Sequence, residues 1–275
     1  LSFSASRVSY RCVSLRVYLP VVCPFALSHR SLQFGEQTGR MNAREHEYRL
    51  SLELRQVNDV LSCLLHSLLL HRTSAKFCYS NDCNYSLGSL GIAEVDCPYV
   101  DLTYVRLNSQ ELFHKVDENI KTFRADLETN AFSSPRRTPV GSPIETAVPL
   151  MVTTFGMEFF QIKRRSWPLP DENNTWERWN IVLDIFKVAT LDEFSRMKET
   201  VAESLSDIIL NMCSTINRPQ YLPKMPTRIE LEDVYDTSYS DCQPYNFRFL
   251  RPKTAAMQHQ SSFNRVSRLI KDLVI

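Results

Sequence analysis

Residues 192–217, DEFSRMKETVAESLSDIILNMCSTIN, decide the fold. Apolar side chains fall at Phe194, Met197, Val201, Leu205, Ile208, Met212 and Ile216, in steps of 3, 4, 4, 3, 4 and 4. That spacing draws one stripe along an α-helix. Ile209 widens the stripe, while Lys198, Glu199, Glu203 and Ser206 stay off it. Asp192 is placed to cap the N-terminus, and Arg218-Pro219 to close the far end, since proline cannot continue a helix. A stripe this long needs a broad apolar partner. The run just upstream, WNIVLDIFKV at 179–188, is β-rich and sets Ile181, Leu183 and Ile185 on one face. The expectation is an α/β chain of the α+β kind, with a central helix laid across a sheet.

Outward from that pair, 48–54 alternates as a short strand and leads into a helix over 57–70. Its apolar residues, Val60, Leu61, Leu64, Leu65 and Leu68 among them, occupy more than one face, which predicts deep burial. Segments 76–79 and 85–87 predict a hairpin turning at 81–84, and 96–107 a single strand. Asn108-Ser-Gln-Glu111 has the form of a capping box before a helix with Leu112, Val116, Ile120, Phe123 and Leu127 on its stripe. Further on, 155–162 and 245–250 have strand composition, 230–235 suits a helical turn, and 263–275 suits a final strand or short helix.

The chain has 275 residues, enough for one large or two small domains. A net charge of +1 gives no global argument for nucleic acid or an anionic membrane. Residues 1–40 carry five Arg and one acid, so 41–275 is left at −3 (+1 minus +4). That leading segment is also rich in Ser and mimics a mitochondrial presequence. The simpler expectation is that Met41 starts the protein and that 1–40 is an upstream translated extension or gene-model artefact. No run has the length of a transmembrane helix. Eight cysteines form no Cys-x-x-Cys pair, and reduced thiols in the cytosol are expected.

Segment 129–154 breaks the pattern with Ser134-Pro, Thr138-Pro and Ser142-Pro around Arg136-Arg137. It predicts a flexible, proline-punctuated insertion. Composition alone favours a plain surface loop over one controlled by phosphorylation. Segment 163–171, KRRSWPLPD, has two prolines within three residues, which exclude regular helix and central strand. Trp167 therefore sits on a loop, tucked onto the core or offered to a partner. Composition favours tucking, because burying Trp stabilises by several kcal/mol.

A search for catalytic patterns finds no glycine-rich phosphate loop and no Gly-x-Ser-x-Gly elbow. His66 and His71 are five apart, off the spacing that places two ligands on one helix face, and His66 reads as a packed histidine. A cysteine-dependent hydrolase using Cys97 or Cys78 is the alternative of another class; it needs a low-pKa thiol beside a histidine. The basic-aromatic run 163–167 is weak support for RNA or lipid contact. Function by binding, without cofactor or metal, is the reading that remains.

Several runs then resemble one family: LLLHR at 68–72, VDC at 95–97, TYVR at 103–106, RSWP at 165–168, YLPKMPT at 221–227, QPY at 243–245 and RLIKD at 268–272. In this order they resemble autophagy-related protein 101, a HORMA-domain family, over about 45–275. The resemblance implies one HORMA domain at 41–275, a mostly antiparallel sheet packed on three helices near 57–70, 112–127 and 192–217. It implies an open-like state without a long C-terminal belt, in keeping with the short tail after Leu250.

The implied role is a non-enzymatic adaptor of the autophagy-initiation complex of the Unc-51-like kinase, in the cytoplasm and at the phagophore assembly site. The partner would be the HORMA domain of autophagy-related protein 13, with His71 on the docking surface. The family's exposed Trp-Phe finger, which recruits downstream autophagy factors, maps onto Trp167, Pro168 and Leu169, so the resemblance predicts an exposed Trp167. Leu169 stands where the family commonly has Phe. Segment 129–154 is longer than the family's linker, and 1–40 has no counterpart in it.

Overall fold

The computed structural model describes residues 43–82, 84–133, 149–188, 190–217 and 222–252. Strand β1 (Arg44–Glu53) runs through one 3-10 turn (Leu54–Gln56) into α1 (Val57–His71). Short strands β2 (Thr73–Ser74), β3 (Phe77–Tyr79) and β4 (Tyr85–Leu87) follow, then β5 (Ile92–Cys97), β6 (Leu102–Leu107) and α2 (Gln110–Ser133). The long hairpin strands β7 (Met151–Lys163) and β8 (Glu172–Phe186) precede α3 (Leu191–Ile216), the single-turn α4 (Leu231–Val234), β9 (Gln243–Pro244) and β10 (Phe247–Leu250).

The main sheet has the order β1-β8-β7-β10. β7 is antiparallel to both neighbours, whereas β1 runs parallel to β8, so the sheet is mixed. Its inner face carries Leu50 and Leu52 of β1, Phe155, Met157 and Phe159 of β7, and Trp179, Ile181, Leu183 and Ile185 of β8, all buried. Alternation with period 2 delivers these residues to one side. The outer side holds a charge ladder instead: Glu45, Arg178, Glu158 and Arg248 stand side by side on the four strands and bond in sequence.

Three helices complete the core. α3 lies against β1 and α1, as its stripe demands, burying Val201, Leu205, Met212 and Ile216. α1 is buried almost all round and contacts α2, α3 and β6. α2 turns its stripe inward, and Phe123 meets Phe155 edge to face with ring centroids 4.9 Å apart. Each fully buried Leu, Ile or Phe contributes about 1.5–3 kcal/mol, so these stripes carry the fold. Gly156 marks the tightest point of the sheet. A Cβ there would lie 3.0 Å from Asn180 Oδ1 and 3.2 Å from both Leu250 Cβ and the Trp179 carbonyl oxygen.

Several expectations need correction. The single strand over 96–107 is a hairpin, β5 and β6, turning at 98–101; Pro98 interrupts the alternation there. The cap of α3 is Thr190, not Asp192: its hydroxyl accepts from Glu193 N, and Glu193 answers in a reciprocal capping box. At α2, Ser109 Oγ accepts from Leu112 N, whereas Glu111 bonds Ser240 rather than the Asn108 backbone. α2 continues to Ser133 and β7 begins at Met151, so regular structure takes both ends of the expected 129–154 insertion. Segment 1–40, the Ser134, Thr138 and Ser142 sites, the Arg218-Pro219 stop, Tyr221 and the element expected at 263–275 lie outside the described residues.

Candidate functional site

The two longest strands outrun their sheet. β1 pairs with β8 only from Glu177 onward, and β10 pairs with β7 only over 156–159. Beyond those limits Gln161, Ile162 and Lys163 pair with Asn174, Asn173 and Glu172 alone, forming a two-stranded stalk. Its tip is the proline-rich segment 164–171. Proline cannot serve a strand ladder, so pairing ends here and the chain turns. Leu169 N donates to Ser166 O at 3.1 Å across the turn, and the Trp167–Pro168 peptide is cis.

Charged side chains brace the neck of this tip. Arg164 Nη1 donates to Asp171 Oδ2 at 3.1 Å, and Arg165 N donates to Asp171 Oδ1 at 3.2 Å. Arg164 Nε also reaches Asp233 Oδ1 of α4 at 2.7 Å, tying the hairpin to a second element. Arg165 pairs with Glu172. Surface ion pairs contribute little singly. Here three of them, with the Arg165 N–Asp171 hydrogen bond, span the neck and α4, so they fix direction more than they add stability.

Above that neck Trp167 is 93 % exposed and Leu169 58 %, with Pro168 and Pro170 also exposed. The tucked placement favoured by composition is therefore wrong. The core is already filled by Trp176 and Trp179, both buried, and the stalk carries Trp167 away from it. Of the basic run 163–167, Arg164 and Arg165 are committed to carboxylates, which removes most of the charge an RNA or lipid contact would use.

His71 sits elsewhere. It ends α1, half-buried, with Nε2 3.4 Å from Cys213 Sγ of α3. Its neighbour Arg72 bonds Glu177 on β8, and five residues of extended strand, roughly 17 Å, separate Glu177 from Glu172 at the neck. The structure thus brings Trp167, Pro168 and Leu169 together and leaves His71 apart. Burial lowers the His71 pKa and raises that of Cys213, the opposite of what a thiolate–imidazolium pair requires.

The thiol named for a hydrolase fares no better. Burial pushes Cys97 up to about 12, and its Sγ faces the Asp59 carbonyl. Cys78 is exposed on β3, where its strand partner is Ser86. His66 lies between the rings of Tyr104 and Phe113, the packed histidine that was expected. The braces Arg164, Asp171 and Asp233 were missed by sequence reading. Only the clustering of arginines before a Trp-Pro pair hinted at them, and Asp233 lies 69 residues from its partner.

Known proteins give the same direction. The family described as Autophagy-related protein 101 matches residues 49–229. The chain is 34 % identical to "Autophagy-related protein 101" of Homo sapiens and of Bos taurus, over 232 residues in each case, covering 84 % of this chain and 98 % of the relative. To the Arabidopsis thaliana protein of that name it is 24 % identical over 140 residues, 50 % of this chain and 51 % of the relative. The chain belongs to the autophagy-related protein 101 family.

Proposed function

We propose that this autophagy protein is a non-enzymatic adaptor whose finger, Trp167-Pro168-Leu169, recruits downstream autophagy factors. The observation that carries the reading is the 93 % exposure of a tryptophan on a braced two-stranded stalk. Exposing so large an apolar ring forgoes several kcal/mol of burial, a cost that a partner's pocket offsets. Pro168, Pro170 and the ion-paired neck restrict the tip before binding, which lowers the entropy lost on association.

The sheet and its three helices are those of a HORMA domain in this reading. Its partner is the HORMA domain of autophagy-related protein 13, within the Unc-51-like kinase complex. By the resemblance, His71, at the end of α1 and beside Cys213 of α3, belongs to that second surface. The protein works in the cytoplasm and at the phagophore assembly site.

Size-exclusion chromatography of the full chain with that HORMA domain tests the pairing. A stable one-to-one complex is expected. Two separate peaks, with this chain folded, would leave the fold without the partner.

A further inference from the structure

Lys163-Arg164-Arg165 is the one run of three consecutive Lys or Arg residues in the sequence, and Ser166 follows it directly. The ladder of β7 ends at Lys163, so 164–166 have no regular structure, and every residue from Lys163 to Pro170 is exposed. The stalk carries Ser166 past the limits of β1 and β10. The Ser166 carbonyl accepts from Leu169 N, whereas its hydroxyl has no bonded partner among the described residues. An enzyme that modifies a hydroxyl must close a cleft around a strip of chain that it can extend, and this tip offers one. Other hydroxyls near basic residues are placed differently. Thr227 has Lys224 three residues before it, but its hydroxyl is tied to Glu230, and Thr200, two residues after Lys198, lies inside α3.

Charge selects the class of enzyme. Three cations stand immediately before the acceptor and an apolar ring, Trp167, immediately after it. Kinases choose substrates by such charge patterns. The ion pairs of Arg164 and Arg165 do not hide these cations, because the side chains are 58 % and 37 % exposed and surface pairs contribute little. We propose that Ser166 is the acceptor of a basic-directed serine/threonine kinase, and that its phosphate switches the finger off. Ser166 Oγ attacks the γ-phosphorus of ATP: the phosphorus–Oγ bond forms, the bond to the β–γ bridging oxygen breaks, ADP leaves, and the hydroxyl proton passes to the kinase's base. Arg164 and Arg165 already serve three carboxylates, those of Asp171, Glu172 and Asp233. A phosphate of about −1.5 to −2 charge competes for the same two guanidinium groups, and each one it takes releases a brace. It also sets an anion one residue from the ring that enters a partner's apolar pocket, where desolvating it is costly. The switch rests on the adaptor reading; the modification does not.

The test treats the full chain with the catalytic subunit of cyclic-AMP-dependent protein kinase and Mg-ATP, and maps phosphate by tandem mass spectrometry. Phosphate is expected on Ser166, and Lys163→Gln/Arg164→Gln should slow its incorporation by about tenfold or more. The phosphorylated chain, with unchanged circular dichroism, should capture downstream autophagy factors about tenfold less than the untreated chain. Ser166→Ala keeps the backbone bond to Leu169 and should capture normally before and after kinase treatment. Absence of phosphate on Ser166, or incorporation indifferent to the two basic residues, would overturn the site. Capture that survives phosphorylation but is lost in Trp167→Ala, or capture lost by kinase-treated Ser166→Ala, would overturn the switch. If Trp167→Ala still captured downstream factors, the finger reading and the switch would fall together while the phosphate on Ser166 stood, so the two are separable.

Discussion

The guanidinium of Arg72, at the end of α1, forks onto the carboxylate of Glu177 in β8 at 2.7 and 2.9 Å, with both side chains almost wholly out of solvent. Arg72 Nη2 also donates to the carbonyl of Ile216 at 3.1 Å, and the Arg72 carbonyl accepts from Tyr245 N at 3.0 Å. One residue thus ties α1, α3, β8 and the segment after β9. Removing one partner strands the other charge in the core. Glu177→Gln or Arg72→Ala is expected to cost about 3–5 kcal/mol, measured as a lowered urea midpoint. Arg72→Met combined with Glu177→Leu should recover most of that loss, because desolvating the pair offsets much of its attraction. Additive losses in the double variant would contradict this account.

The finger should behave differently from the core. Trp167→Ala removes a ring with almost no internal contact, so stability should stay within about 0.5 kcal/mol while capture of downstream autophagy factors is lost. A melt far below that of the unsubstituted protein would mean Trp167 is structural. Leu169→Phe restores an aromatic at the tip. An aromatic pair adds about 1 kcal/mol, so roughly fivefold tighter capture is expected in the same pull-down.

Stability should also depend on pH through His66. The residue is 3 % exposed, and burial lowers its pKa from 6.5 to about 4. The unfolded chain takes up this proton near pH 6.5, the folded chain only near pH 4. Unfolding therefore binds protons between these values. The stabilising contribution is complete above pH 6.5 and declines as pH falls, by about 3 kcal/mol at most. His46 and His71 are also lowered by burial and act in the same direction. Thermal melts from pH 7 to 4 should lose less for His66→Phe than for the unsubstituted chain; equal slopes would rule His66 out as a source.

Gly156 gives a packing prediction. Its α-hydrogen faces Asn180 Oδ1, Leu250 Cβ and the Trp179 carbonyl, and a methyl group would approach each within 3.2 Å. Gly156→Ala should cost about 1–3 kcal/mol as β10 is pushed off β7. Hydrogen exchange should show earlier opening of 247–250 than of β8, and uniform loss across the sheet would argue against a local clash.

Local periodicity made much of this fold legible. The 3-4 spacing from Phe194 to Ile216, the all-round apolar character of 57–70 and the stripe from Leu112 to Leu127 each require only a few neighbouring residues, and each became a helix on the core. Alternation in 179–188 similarly specified the buried face of β8. The boundaries were less legible. Caps depend on which hydroxyl finds which N–H, and a proline within an alternating run, Pro98, separates two strands that period-2 counting merges.

The sequence by itself determined the helices, their inward faces, the turn at 164–171 and, by resemblance, the family. It could not determine that β1 runs parallel to β8, because that pairing joins residues 133 positions apart and no local pattern encodes it. Composition could not decide where Trp167 goes; the resemblance pointed to exposure, and the tertiary structure supplies the physical reason. The same loop composition serves a tucked or an exposed ring, and the outcome was set by how far β7 and β8 extend past β1 and β10. It also decided which charges are spent. Arg164 meets Asp233 and Arg72 meets Glu177 only once the chain has folded.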